Sequence, residues 1–163
     1  MSPNLHAFLG MIAWSELGPE ILEQSDNGYD VLVGSTPDDV HLFDSYADHP
    51  HKLVTLTIKA KDGTPMQVQS TAAGRYQILG RYADVYRMHL GLPDFGPESQ
   101  DLIAIQMIRE CRALGVIEAG DFDKAVALCA SRWASLPKAG YGQHEQQIGD
   151  LRAAFVAAGG TLA

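Results

Sequence analysis

LHAFLGMIAWSE, residues 5–16, places Leu5, Phe8, Leu9, Ile12 and Ala13 at i, i+3, i+4, i+7 and i+8. That is the period of an α-helix laying one apolar face on a core. Glu16 takes the next position on the stripe, so helical geometry aims its carboxyl the way the core residues point. A carboxylate withdrawn from water is disfavoured in its charged form, its pKa rises, and it can hold a proton for donation near neutral pH. Gly18 and Pro19 follow at once and stop the helix, which would leave Glu16 at the mouth of a cleft. Periodicity alone fits equally a solvated glutamate in a fraying last turn, since Glu is seldom buried. Asn4 stands where an N-cap belongs, and a helix is predicted over 5 to 15 or 16.

Outward from this helix the pattern changes twice. Residues 17–28 turn polar and end in the turn cluster Asp26, Asn27, Gly28; residues 29–33 then form a β-branched run that reads as a first strand. Residues 34–52 are loop-like. Val54, Leu56 and Ile58 alternate with Thr55 and Thr57, a turn follows at 61–64, and Met66 and Val68 alternate again, so 53–69 reads as a hairpin. Beyond Thr71 the period is helical. Leu79, Tyr82, Ala83, Tyr86 and Leu90 lie on one stripe closed by Gly91 and Pro93; Pro97 opens a helix whose Leu102 to Ile108 run, apolar on nearly all sides, predicts a central buried helix. Asp121 is the expected N-cap of another, with Phe122, Ala125, Val126, Cys129 and Trp133 on one face up to Leu136, and a last helix carries Ile148, Leu151 and Phe155. Helices around one small antiparallel sheet make an α+β chain, and 163 residues suffice for a single domain with a sizeable core.

Composition removes several classes of function. The formal charge of −8, with no cluster of Lys or Arg, leaves no basic face for nucleic acid. No apolar run reaches the roughly 18 residues of a membrane span, and the N-terminus MSPNLHAFLG lacks the basic region and cleavage site of a leader, so a protein made in the cytoplasm with no export signal of its own is expected. Cys111 and Cys129 sit in helical patterns and read as buried thiols. His6, His41, His49, His51, His89 and His144 form no HExxH pair, and His49-Pro50-His51 could at most bind a metal incidentally; no metal or organic cofactor is expected. Nucleophile elbows and phosphate-binding glycine loops are lacking as well.

Two stretches call for more than structure. STAAGRYQ, 70–77, sets small residues and a glycine at a sheet–helix junction, and LPKAGYGQH, 136–144, is a Gly-rich loop with a tyrosine and an amide. With an acid at a helix end and a sheet beside it, these are the parts of a polysaccharide cleft. Most glycosidases need a second carboxyl; Asp30, Asp44 and Asp48 are candidates, and none stands out by position. A mechanism whose nucleophile belongs to the substrate would need only one.

The blocks FLGMIAWSE, NGYDVLVG, DHPHKLVTL, STAAGRYQILGRY, LGLPDFGPESQD and WASLPKAGYGQ, in this order and at these separations, resemble the phage lambda endolysin family over nearly the whole chain. The resemblance implies a lysozyme-like α+β fold of one catalytic domain, 1–163, with a small β-containing lobe at about 29–70 and a helical lobe from the remainder. It implies a lytic transglycosylase of peptidoglycan, which cleaves the β-1,4 bond between N-acetylmuramic acid and N-acetylglucosamine and closes a 1,6-anhydro ring. Carried onto this chain, the catalytic acid is Glu16, and Thr71, Gln77, Tyr141 and Gln143 hold sugar or orient the acid. The family pattern has glycine where this chain has Lys138, and this chain is longer around 35–42 and 60–67. A monomer that waits in the host cytoplasm for a holin-type membrane protein to open its way to the wall is the family expectation. Two alternatives stay open: a hydrolytic lysozyme using Asp30 or Asp44, and a non-catalytic wall-binding module on the same fold.

Overall fold

The computed structural model describes residues 1–60, 62–138 and 145–163. They form α1 (Pro3–Leu17), α2 (Pro19–Glu23), β1 (Val54–Lys59), β2 (Pro65–Ser70), α3 (Gly80–Leu90), α4 (Pro97–Glu110), α5 (Leu114–Glu118), α6 (Phe122–Cys129) and α7 (Ile148–Ala157). The chain divides into two compact units, one of Met1–Glu16 with Ala104–Ala163 and one of Leu17–Ile103.

The first unit is helical. Its core helix is α1, where Ala7, Phe8, Leu9, Met11, Ile12 and Ala13 are all buried, so the helix is enclosed on nearly every side rather than on one face. The sequence assigned that place to α4. There Ile103, Ala104 and Ile108 are fully buried but Leu102 is exposed, because the polar Gln106, Arg109 and Glu110 leave α4 a single broad apolar face. The start of α1 also differs from expectation. Ser2 is the cap, its Oγ accepting the Leu5 N–H at 3.2 Å, and Pro3 takes the first helical position its ring favours. Asn4 lies inside the helix, and its Nδ2 donates to the Ile117 and Thr161 carbonyls at 3.1 and 3.2 Å. Phe8 of α1, Phe122 of α6 and Phe155 of α7 meet with centroids 5.0 to 6.5 Å apart. Helix α6 ends at Cys129, earlier than the apolar stripe predicted; Trp133 and Leu136 are buried in the turns that follow. Cys129 is buried and Cys111 half-buried, both as free thiols, and burial pushes the Cys129 thiol well up.

The second unit carries the sheet. β1 and β2 pair antiparallel from Val54↔Ser70 to Lys59↔Pro65, the hairpin the alternation predicts. Residues 29–33 do not form a strand. Val31 and Leu32 make only isolated bridges, to Leu42 and Ala73, and Val31 is buried with Leu17 and Ile21. Residues 17–28 include the short helix α2, whose five residues are too few to show a period. Gln100, fully buried on α4, ties the unit together: its Oε1 accepts the Arg75 N–H at 2.9 Å, and its Nε2 donates to the Tyr29 and Phe95 carbonyls at 2.9 and 2.8 Å.

Candidate active site

Glu16 stands in the last turn of α1, and its position follows from the buried face beneath it. The segment 131–138 comes to it from the far end of the sequence. Trp133 and Leu136, 2 % and 0 % exposed, anchor that segment in the core, and the Ser135 carbonyl accepts the Gln146 N–H at 2.8 Å. So pinned, Ser135 donates from Oγ to Glu16 Oε1 at 2.6 Å, and Ser15, one residue before Glu16, donates from Oγ to Ser135 Oγ at 2.7 Å. Both serines are buried. Glu16 is half-buried by surface, and its carboxyl is largely withdrawn from water. Desolvation is therefore the largest influence on it and raises its pKa to about 7 against the opposing hydrogen bonds from the Ser135 hydroxyl and backbone. Among the described residues no carboxylate or cation contributes to that shift. A carboxyl half-protonated near pH 7 can donate a proton in one step and accept one in the next.

The other residues singled out from sequence fall elsewhere. Thr71 and Gln77 belong to the second unit. Thr71 Oγ1 accepts the Gly80 N–H at 3.1 Å, satisfying a donor at the start of α3. Gln77 sits at φ 48° and its Nε2 donates to the Gly74 carbonyl at 2.9 Å, so one of its amide donors closes the 74–77 turn. Tyr141 and Gln143 lie outside the described residues. Asp30 braces a loop by accepting the Asp26 N–H at 3.0 Å, Asp44 is exposed, and Asp48 pairs with Arg87. His49 is buried with both nitrogens engaged: Nε2 meets the Ile78 carbonyl at 2.9 Å and Nδ1 accepts the His51 N–H at 3.0 Å, so it has no lone pair to give a metal. Asp48, His51 and Asp84 are exposed groups with potential ligand atoms within 4.8 Å of one another, but His51 already pairs with Asp84 at 3.0 Å and Asp48 with Arg87.

The pattern of the Endolysin family matches residues 6–162. The chain belongs to the endolysin family. It is 50 % identical to the endolysin of Escherichia phage lambda over 96 % of this chain and 91 % of that protein, and 42 % identical to the endolysin of Escherichia phage P2 over 98 % and 95 %. A solved structure of bacteriophage lambda lysozyme complexed with a chitohexasaccharide superimposes with a TM-score of 0.86 at 47 % identity, covering 100 % of this chain and 98 % of that one. A second lambda lysozyme structure gives 0.82 at 45 % identity over the same shares. The fold is thus lysozyme-like, mostly helical with one small antiparallel sheet.

In this endolysin-family chain, sequence reasoning passed over Ser15 and Ser135. Ser15 is adjacent to the acid on α1, and a polar residue in an otherwise apolar helix was a visible signal. Ser135 offered only its place between Trp133 and Leu136, two core residues that fix what lies between them.

Proposed function

We propose that this chain is a lytic transglycosylase of peptidoglycan, acting through Glu16 alone. The observation that carries the reading is the Glu16 carboxyl itself, poised near pH 7 by burial and held by the Ser135 hydroxyl and backbone. The chitohexasaccharide held by the lambda lysozyme supports a saccharide chain as the substrate class.

The steps balance without water. Neutral Glu16 gives its proton to the glycosidic oxygen as the C1–O bond breaks, and positive charge develops on the muramoyl ring as an oxocarbenium-like centre. Glu16, now a carboxylate, takes the proton of the muramoyl 6-hydroxyl as that oxygen bonds to C1. The 1,6-anhydro ring closes and Glu16 is again neutral. Tyr141, Gln143, Thr71 and Gln77 belong to the sugar-holding set in this reading, on family resemblance. The 1–163 chain then works as one catalytic domain and as a monomer, with no cofactor. It accumulates in the host cytoplasm and reaches the wall through a holin-type membrane protein; no helix among the described residues is long and apolar enough to cross a membrane itself.

Mass spectrometry of digested, purified peptidoglycan tests the proposal. Products one water lighter than hydrolysed muropeptides are expected. Hydrolysed ends would replace it with a lysozyme mechanism, and the absence of released muropeptides would leave a binding module.

A further inference from the structure

Glu16 is held by the protein through Oε1. The Ser135 hydroxyl donates to Oε1 at 2.6 Å and its oxygen accepts from Ser15 at 2.7 Å, while the Ser135 backbone also hydrogen-bonds the carboxyl. Ser15 holds the Ser135 hydroxyl from behind, so the position of Ser135 Oγ against Oε1 depends on both serines. Ser15 is 5 % exposed and comes from the same helix as Glu16, so the geometry is set by α1 and by the Trp133–Leu136 anchor.

We propose that Ser15 and Ser135 form a two-hydroxyl positioning chain that fixes the orientation of the Glu16 carboxyl through Oε1. This rests on Glu16 being the acid. Neither serine touches substrate; both act through Glu16. The chain has a second effect. Ser135 stabilises the carboxylate form and opposes the upward push of burial, so it holds Glu16 near pH 7 when burial alone would drive it higher. Within the described structure no charged group acts on Glu16 to mask this effect.

The experiment is the pH profile of kcat and kcat/KM on purified peptidoglycan glycan for the full chain and its Ser135→Ala, Ser15→Ala and doubly substituted forms, beside ¹³C NMR titration of the Glu16 carboxyl. In Ser135→Ala the alkaline limb and the Glu16 titration both move up by about one pH unit, the lower value of a hydrogen bond to a charged group. In Ser15→Ala the limb moves less, kcat falls several-fold and KM holds, because Ser135 keeps its bond to Glu16 but loses the group that orients it. The double variant is no worse than Ser135→Ala, since both serines act in one chain. Ser135→Thr, which keeps the hydroxyl, returns the limb toward its original place and serves if the alanine form does not fold. A limb and titration unmoved in Ser135→Ala, or serine effects that simply add, would overturn the chain. Full activity in Glu16→Gln would instead remove the reading of Glu16 on which the chain rests; an inactive Glu16→Gln with an unmoved limb in the serine variants sinks the chain alone.

Discussion

At the scale of single residues, Glu16 shows what a sequence can and cannot say. Its direction was legible, because helical spacing from Ile12 and Ala13 dictates where a side chain at 16 points. Its partner was not. Ser135 lies 119 residues away in a non-periodic turn, and no local pattern connects the two. Tyr141 and Gln143 remain expectations of resemblance, outside the described residues. The role proposed for Glu16 leads to a direct expectation for Glu16→Gln. Gln is close to the same size and can accept the Ser135 bond, but it neither gives nor takes a proton at neutral pH, so turnover falls by about 10²- to 10⁴-fold, the usual worth of general acid–base catalysis. In the unsubstituted protein kcat/KM is expected to fall above about pH 7, where Glu16 loses its proton. Muropeptide release measured from pH 5 to 9 checks both; a variant as active as the parent, or a profile flat through pH 7, contradicts the assignment.

At the scale of elements, long periodic stretches were readable and short ones were not. The helices α3, α4, α6 and α7 and the β1–β2 hairpin follow their apolar spacing and turn residues. Helices α2 and α5, five residues each, fall below the length at which a period can be counted. Residues 29–33 have the composition of a strand, yet each neighbour offers them one bridge and no ladder, so β propensity yields to tertiary context. STAAGRYQ was singled out as part of a saccharide cleft, and its glycine has a structural reason. Gly74 has φ 76°, and a Cβ there would stand 2.1 Å from Gln100 Oε1, the atom that holds the Arg75 N–H. Gly74→Ala therefore strains the backbone and pushes a fully buried amide off three partners at once. Left-handed strain of roughly 1 kcal/mol and a lost buried hydrogen bond of about 1 to 3 kcal/mol set the expected loss at about 2 to 4 kcal/mol in urea unfolding. A loss under about 0.5 kcal/mol would mean that Gln100 moves freely and does not brace the turn.

At the scale of the whole molecule, two buried groups make stability depend on pH in opposite senses. Glu16 has its pKa raised from 4.5 to about 7, so the folded chain binds a proton that the unfolded chain has lost. That contribution is full below about 4.5 and disappears as pH rises through 7. His49 behaves the other way. Burial lowers its pKa below 6.5, against the Ile78 bond and the facing carboxylates of Asp84 and Asp48 and with the help of His51. Protonating Nδ1 would also set two N–H groups against each other where His51 now donates. The stability His49 lends is present above pH 6.5 and is lost as pH falls below it. Tyr29, raised to about 12 by burial and by Asp101, leaves this window untouched, since its contribution is constant until about pH 10. The unfolding free energy of the parent relative to Glu16→Gln should therefore grow between pH 8 and pH 5. A change of about 1 to 3 kcal/mol is expected, because a tenfold change in proton affinity is worth about 1.4 kcal/mol and Glu16 keeps some solvent. Relative to His49→Gln, whose amide can still reach the Ile78 carbonyl, the parent's advantage should shrink over the same interval. Urea titrations at pH 5, 6.5 and 8 read both differences; if they run in parallel, the proton is not held at Glu16 or His49 is not neutral in the fold.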